Sequence, residues 1–587
     1  MASIPTCASR HPQCRLRRRD ARHGRKGWPA CSNVVPEAVC RHSPGWGQLE
    51  GAEVTDRRTL LKATLGATAV TRVGQISAPA LAQGSPARTL RFVPQGNLAS
   101  MDPIWGTSVL SRNAGLMVYD TLFGIGSDFK VQPQMAAAHE VSADGLTHTI
   151  TLRPGLRFHD GEPVRTRDCV ASIRRWSKRD VLGQRLDALL DEMATVSDER
   201  FTIRIKRPWS GLTWALGKAG ANICAIMPER IAQTDPFTQI ADFTGSGPFR
   251  FLRDEWVAGS LAVFERNAAY QPRQEAPDLL AGGKQVHFDR VNWRIMPDAA
   301  TAAAALRNNE ADWWETPLPD LLPILRRNRQ IALETINTFG SFGVLRFNHL
   351  HPPFDNPAVR RALFPAVDQE AFMQAAMGTE PDLYRIPSGA FTPGTPLAND
   401  AGLEVLTAPR NIEKAKRLLR EAGYKNERVV LLSATDLPNL QGMTEVAADL
   451  MRRVGFNVDL ASMDWGTQIQ RRTNRGPVEQ GGFSAFCTTW EGLDTSVPGS
   501  HQPLRGNGAN AWSGWPTSPR REALRDEWFD ATDIETEKRI AEELQRAVWE
   551  EAPFIPLGLQ RPQQAYRRSI TGVLKGGPAL FWNVRRA

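Results

Sequence analysis

Leu152–Arg175 reads LRPGLRFHDGEPVRTRDCVASIRR, and this stretch decides how the rest of the chain is read. Just before and into it, Thr147–Leu152 alternates polar and apolar residues, the pattern of a half-buried strand. Pro154-Gly155 sets a turn, Leu156–Phe158 returns, and Asp160-Gly161 sets a second turn. A helix is expected from Thr166, taken as its N-cap, with Asp168 in the first turn where negative charge suits the helix dipole. Val170, Ile173 and Trp176 would form its buried stripe. Such a strand–turn–strand–turn–helix unit carries no catalytic group and reads as scaffold.

The chain has 587 residues, too many for one core, and its formal charge of +9 is unevenly placed. Residues 1–82 hold 13 Lys/Arg against 5 Asp/Glu, whereas the remainder holds 59 against 58. The basic balance therefore describes the N-terminus and gives no argument for a nucleic-acid partner. Of seven cysteines, Cys7, Cys14, Cys31 and Cys40 lie in the first 40 residues. They lack C-x-x-C pairs, and Cys169, Cys224 and Cys487 are too widely spaced for a disulfide framework or a zinc site. Buried free thiols are expected, and no metal or other cofactor.

The N-terminus reads as an address. Thr55–Lys62, TDRRTLLK, resembles a twin-arginine export motif through Arg57 and Arg58. An apolar run, Leu60–Val70, and an A-x-A cleavage site, Ala80-Leu81-Ala82, follow. The run is too short to span a membrane, which takes about 20 residues. A mature, exported protein beginning near Gln83 is expected, with 54–82 as the signal and 1–53 as a disordered leader or a misplaced start.

Beyond Gln83 there is no repeat and no low-complexity tract, and helices alternate with strands. Phe342–Phe347 is a short apolar strand, Asn356-Pro357 starts a helix, and Asp368 caps the next, with Phe372 and Met373 inward. Asn411–Ala422 is a helix stopping at Gly423, Val429–Ser433 a strand, and Met443–Val454 a helix ending at Gly455. Asn457–Leu460 and Phe483–Thr488 are further strands. The first half is richer in strand, with Phe201–Ile205 and Leu261–Glu265.

Five segments in order resemble one family. Phe158–Pro163 fits FxDGxP, Gly245–Phe249 (GSGPF) is similar to a GTGPF landmark, and Asn348–Ala366 (NHLHPPFDNPAVRRALFPA) to NPPFDDPRVRRAL. Asn411–Tyr424 (NIEKAKRLLREAGY) and Ala552–Leu559 (APFIPLGL) complete the set. On these residues the chain resembles the periplasmic solute-binding proteins of ABC importers, family 5, the oligopeptide/dipeptide/nickel type. The resemblance implies an α/β, two-lobed periplasmic-binding-protein fold with a large extra subdomain, a cleft between lobes, and two crossing hinge segments. By position the crossings are expected near Ile336–Phe347 and Pro553–Gly558. The expected division is 83–121, 245–336 and 553–587 as three pieces of lobe I, 122–244 as a β-rich insertion, and 337–552 as lobe II.

The same resemblance points to the ligand site. Met463–Arg472 (MDWGTQIQRR) is similar to an EWxxxxxxR segment in which Trp packs on ligand and Arg meets a carboxylate, implicating Trp465 and Arg472. Seven positions apart on a helix, the two share a face. Thr488–Asp494 (TTWEGLD) lies where peptide binders show W-x-x-D, the Asp holding the peptide ammonium. Here Leu493 takes that place, so Trp490, Glu491 and Asp494 are the candidates and a plain dipeptide specificity is weakened. Asn510 and Trp512 would add a further wall.

Enzyme readings lack support: there is no G-x-S-x-G, H-E-x-x-H, Walker or dinucleotide motif. His349 and His351 flank Leu350 ahead of Pro352-Pro353 and read as a loop rather than as metal ligands. The expected function is capture of a small solute or short peptide by a monomeric periplasmic protein and delivery to an inner-membrane ABC permease. An exported enzyme or a sensory binding protein on the same scaffold are the rival classes. Opine, sugar or nickel-complex cargo is the rival to peptide.

Overall fold

A computed structural model describes residues 88–587, so the leader, the signal with Arg57, Arg58, Ala80 and Ala82, and the start near Gln83 lie outside the described residues. The alternating strand Thr147–Leu152 forms as its pattern predicts, with every second residue buried. It sits inside a four-stranded antiparallel sheet between Ala136–Val141 and Arg200–Ile205, with Leu190–Thr195 at the edge. The helix Thr166–Ser177 covers that sheet. Its N-terminus is closed by Asp168 rather than Thr166: Asp168 accepts from the Arg165 N–H at 2.8 Å and from the Glu229 N–H at 2.8 Å. A carboxylate takes two orphan donors at once, which a hydroxyl does less well. The buried stripe is Cys169, Ile173 and Trp176, with Val170 only half-buried.

Two larger sheets carry the rest. One runs Ile331–Glu334, Gln564–Arg567, Trp313–Trp314, Thr89–Val93, Arg290–Arg294, Leu261–Arg266, Phe249–Phe251. Its core is aromatic: the Phe92 ring meets Phe581 at 4.9 Å, Trp313 at 5.2 Å and Trp293 at 5.5 Å. The chain's last apolar stretch thus completes its first lobe. Gly245, in the GSGPF run, passes so close to the helix Val109–Val118 that an added Cβ would lie 2.0 Å from the Val118 carbonyl oxygen.

The second sheet runs Tyr384–Arg385, Phe554–Gln560, Ser341–Phe347, Ala485–Glu491, Arg428–Ala434, Asn457–Met463. Its helices start as the sequence predicts: Asn356 accepts from the Ala358 N–H and Asp368 from the Glu370 and Ala371 N–H groups. Phe372 and Met373 are fully buried. Pro438–Val454 begins five residues earlier than expected and ends at Gly455 in the left-handed region. Gly455 has no Cβ to clash there, so the helix stops on it.

The chain passes from the first sheet to the second through residues 335–340 and returns through 561–563. The first passage overlaps the segment expected from the sequence. The second does not: all of Pro553–Gly558 but Pro553 lies in the strand Phe554–Gln560, which pairs antiparallel with Ser341–Phe347. Every residue of that strand is buried, the mark of a strand covered on both faces. The polar Arg561-Pro562-Gln563 that follows is what leaves the sheet. Cys169, Cys224 and Cys487 are free and buried, as expected. Among the described residues no helix is long and apolar enough to cross a membrane.

Candidate functional site

The short helix Trp465–Arg471 is started by Asp464, whose carboxylate accepts from the Thr467 N–H at 3.0 Å. Its face at i, i+3 and i+7 carries Trp465, Gln468 and Arg472, while Gly466, Thr467 and Gln470 are exposed. The Arg472 guanidinium lies 5.0 Å from the Trp465 ring centre, 5.4 Å from Phe486 and 5.5 Å from Trp512. Burial pushes its pKa down to about 10. Among the described residues no carboxylate forms an ion pair with it, and its Nη1 has no hydrogen-bond partner. Trp512 in turn meets Trp490 at 5.1 Å. These five side chains form one continuous wall.

Trp512 is held from behind by Arg346, a fully buried cation on the central strand Ser341–Phe347. Arg346 donates to the backbone carbonyls of Pro503, Trp512, Ser513 and Pro553 and lies 5.1 Å from the Trp512 ring. Asn510 is exposed on the turn Gly508–Asn510, so the structure does not bring it into this wall.

Trp490 and Glu491 end the strand Ala485–Glu491 opposite Phe342 and Ser341, beside the first passage between sheets. Glu491 accepts from Asn337 at 3.1 Å and lies 3.4 Å from Arg112 of the first lobe. Arg112 belongs to a buried polar trio, Ser111, Arg112 and Asn113, in the otherwise apolar helix Val109–Val118. Asn113 donates to Glu315, whose carboxyl burial pushes up to about 7.

Asp494 also faces the first lobe. Its Oδ2 accepts from the Ala221 N–H at 3.4 Å, and burial pushes its pKa up to about 6. Beside it Lys218 pairs with Asp180 at 2.7 Å, while the Asp180 carboxylate caps the helix Val181–Leu189. A cavity of about 30 Å³ between the lobes is lined by Asp180, Lys218, Trp490 and Asp494 among others. Two roomier grooves, about 640 and 540 Å³, are open features on the helices Thr166–Ser177 and Ile412–Glu421, away from this junction.

Around the rim the lobes are clasped. Phe529 of the helix Pro519–Asp530 is buried in the core of the four-stranded subdomain, under Trp209 at 6.0 Å and Arg185 at 4.7 Å. Arg185 pairs with Asp526 at 2.9 Å and Asp530 at 3.5 Å, and Arg207 with Asp530 at 2.7 Å.

Of the residues singled out by sequence, the structure brings Trp465, Arg472, Trp490 and Trp512 together and sets Glu491 and Asp494 against the other lobe. Sequence reasoning missed Gln468, Arg112, Glu315 and Lys218. Gln468 was legible as the i+3 member of the Trp465 face, and the polar trio around Arg112 as an interruption of an apolar helix. Lys218 and Glu315 carry no local signal. His349 and His351 each meet a backbone carbonyl, of Pro553 and Arg475 respectively, in the loop expected of them.

Residues 130–512 match the model of the bacterial extracellular solute-binding proteins, family 5. The chain belongs to this family. A probable peptide ABC transporter periplasmic-binding protein of Sinorhizobium fredii is 37% identical over 537 residues, covering 90% of this chain and 99% of the relative. The glutathione-binding protein of Pectobacterium atrosepticum is 27% identical, covering 82% and 90%. Among solved structures, a dipeptide-binding protein of Pseudoalteromonas in complex with Met-Leu has a TM-score of 0.70 at 22% identity, covering 85% of this chain and all of that one. The binding protein AgaA of A. tumefaciens, in complex with agropinic acid, has the same TM-score and identity, covering 85% and 99%. As a family 5 solute-binding protein the chain is a periplasmic, non-enzymatic component of an ABC importer. It captures a small solute between two lobes and delivers it to the membrane permease.

Proposed function

We propose that the solute is a peptide-like zwitterion lying between Arg472 and Asp494. The observation that carries this reading is the separation of charge along the junction. At one end Arg472 is buried among aromatic rings with no carboxylate partner among the described residues. At the other, the two cations Arg112 and Lys218 already face Glu491 and Asp180, leaving the buried carboxyls Asp494 and Glu315 in surplus. A desolvated charge needs a partner, and a ligand with a carboxylate and an ammonium supplies both. The names of the relatives, which bind a peptide or glutathione, agree with it. Trp465, Trp490 and Trp512 pack on the ligand, and Glu491 tunes the acidic end.

Removing one partner of a buried charge pair costs about 2–5 kcal/mol, roughly 30- to several-thousand-fold in affinity. Arg472→Ala and Asp494→Asn therefore weaken binding sharply in calorimetry, and Trp465→Ala weakens it through lost stacking, all with normal melting. Near wild-type affinity in both charge variants sinks the clamp and favours a neutral ligand such as a sugar. We read the protein as a monomer, because both ends of the site come from one chain, and as exported by the twin-arginine route, because Arg57-Arg58, an apolar run and Ala80-Leu81-Ala82 occur in that order. Sedimentation tests the first, and replacement of Arg57 and Arg58 by Lys tests the second.

A further inference from the structure

Gln468 is about 1% exposed, and among the described residues neither its Nε2 nor its Oε1 meets a protein partner. A buried amide left unpaired costs about 1–3 kcal/mol per group, so its position calls for an occupant. It projects from the same helical face as Trp465 and Arg472. Two other buried polar atoms of this wall are also without protein partners, Arg472 Nη1 and Trp490 Nε1.

These three side chains differ in what they ask for. A guanidinium and an indole only donate, whereas a carboxamide donates through Nε2 and accepts through Oε1. An oxyanion alone answers the donors and leaves Gln468 Oε1 unanswered. The complement is an oxyanion next to a group that offers both an N–H and a carbonyl. Four residues, about 6 Å, separate Gln468 from Arg472 along the axis. An amino-acid residue reaches about 3.5 Å, so its carboxylate and the amide before it span the two side chains.

We propose that Gln468 reads the amide bond beside the carboxylate held by Arg472, so the solute ends in an N-acyl amino acid. The inference rests on the carboxylate reading of Arg472 given above and narrows it. It selects peptides and acylated amino acids over free amino acids, sugars and simple hydroxy acids.

The test uses two probes, the dipeptide Met-Leu and its depsipeptide, in which the amide N–H is replaced by an ester oxygen. Calorimetry compares them on wild type, Gln468→Leu and Arg472→Ala. Wild type should prefer the amide by tenfold or more. Gln468→Leu, close in volume and apolar, should bind both probes alike with a melting temperature equal to or above wild type. A merely structural glutamine does not move the amide-to-ester ratio. Equal binding of the two probes by wild type, a preference kept in Gln468→Leu, or no binding of Met-Leu overturns the inference. Arg472→Ala separates the readings. If it weakens both probes equally while the Gln468 result is negative, the carboxylate clamp stands and only the amide reading falls. If Arg472→Ala binds as wild type, the clamp itself falls.

Discussion

A single added methyl group at Gly220 should hold the two lobes apart. In the structure, a Cβ on Gly220 would lie 1.8 Å from Asp494 Oδ1, well inside the 3.0 Å that real Cβ contacts respect. Gly220 belongs to the first lobe and Asp494 to the second, so the overlap exists only when the lobes meet and vanishes when they part. Overpacking of this kind costs about 1–3 kcal/mol after relaxation. Because the cost falls on the closed state alone, ligand affinity should drop roughly 5- to 150-fold while melting of the ligand-free protein stays the same. Small-angle scattering with saturating Met-Leu or glutathione should show a larger radius of gyration for Gly220→Ala than for wild type. Gly106→Ala is the control, since its Cβ would meet nothing within 4 Å. Adding Asp494→Ala to Gly220→Ala removes the obstructing oxygen and should restore the smaller radius. If Gly220→Ala binds and scatters as wild type does, closure does not bring Gly220 onto Asp494, and the account of the junction fails.

Asp494 is pushed up to about 6, so it protonates below that pH; under the proposed clamp, affinity should then fall towards tenfold per pH unit below 6, and Asp494→Asn should flatten that slope in calorimetry. Asp530→Asn removes two partly exposed pairs of the rim clasp, to Arg185 and Arg207, each worth about 0.2–1 kcal/mol. Affinity should then fall a few-fold at low ionic strength and match wild type at 1 M salt, where such pairs are screened; a salt-independent loss counts against an electrostatic clasp. His501 is buried and neutral: its Nδ1 accepts from the Leu504 N–H and its Nε2 faces the Ala390 carbonyl, with the pKa down to about 4. The unfolded chain takes up that proton near pH 6.5, so stability is retained above 6.5 and lost by up to about 3 kcal/mol as pH falls to 4. Denaturant titrations at pH 7.5 and 4.5 check this, and His501→Asn should reduce the difference. N-terminal sequencing of the periplasmic form should begin near Gln83.

What the sequence made legible was whatever depends on near neighbours. The alternation in Thr147–Leu152, the caps at Asn356 and Asp368 and the stop at Gly455 are each settled within one turn or one strand. The cap of Thr166–Ser177 was misassigned because Asp168 also serves the Glu229 N–H, 61 residues away, which makes the carboxylate the better closure. Phe554–Gln560 was mistaken for a crossing because a continuous apolar run does not announce which sheet it joins; pairing with Ser341–Phe347 decides that. The site followed the same rule. Trp465 and Arg472 share a helix and were visible by spacing, whereas Lys218, Arg112 and Glu315 enter only when the lobes meet.

The strand Gln564–Arg567 lies between Ile331–Glu334 and Trp313–Trp314, and Phe581 packs against Phe92 at the other end of the chain. The first lobe to be synthesised is therefore the last to be finished. Residues 341–560 hold every strand of the second sheet and can assemble as soon as they emerge, whereas the first sheet waits for the final residues. Until then its inner strands present unpaired edges and an aromatic core open to water, the state most exposed to aggregation and proteolysis. Loss of Phe581 or of the strand Gln564–Arg567 would be felt at Phe92 and at Trp313, far away in sequence and adjacent in this lobe.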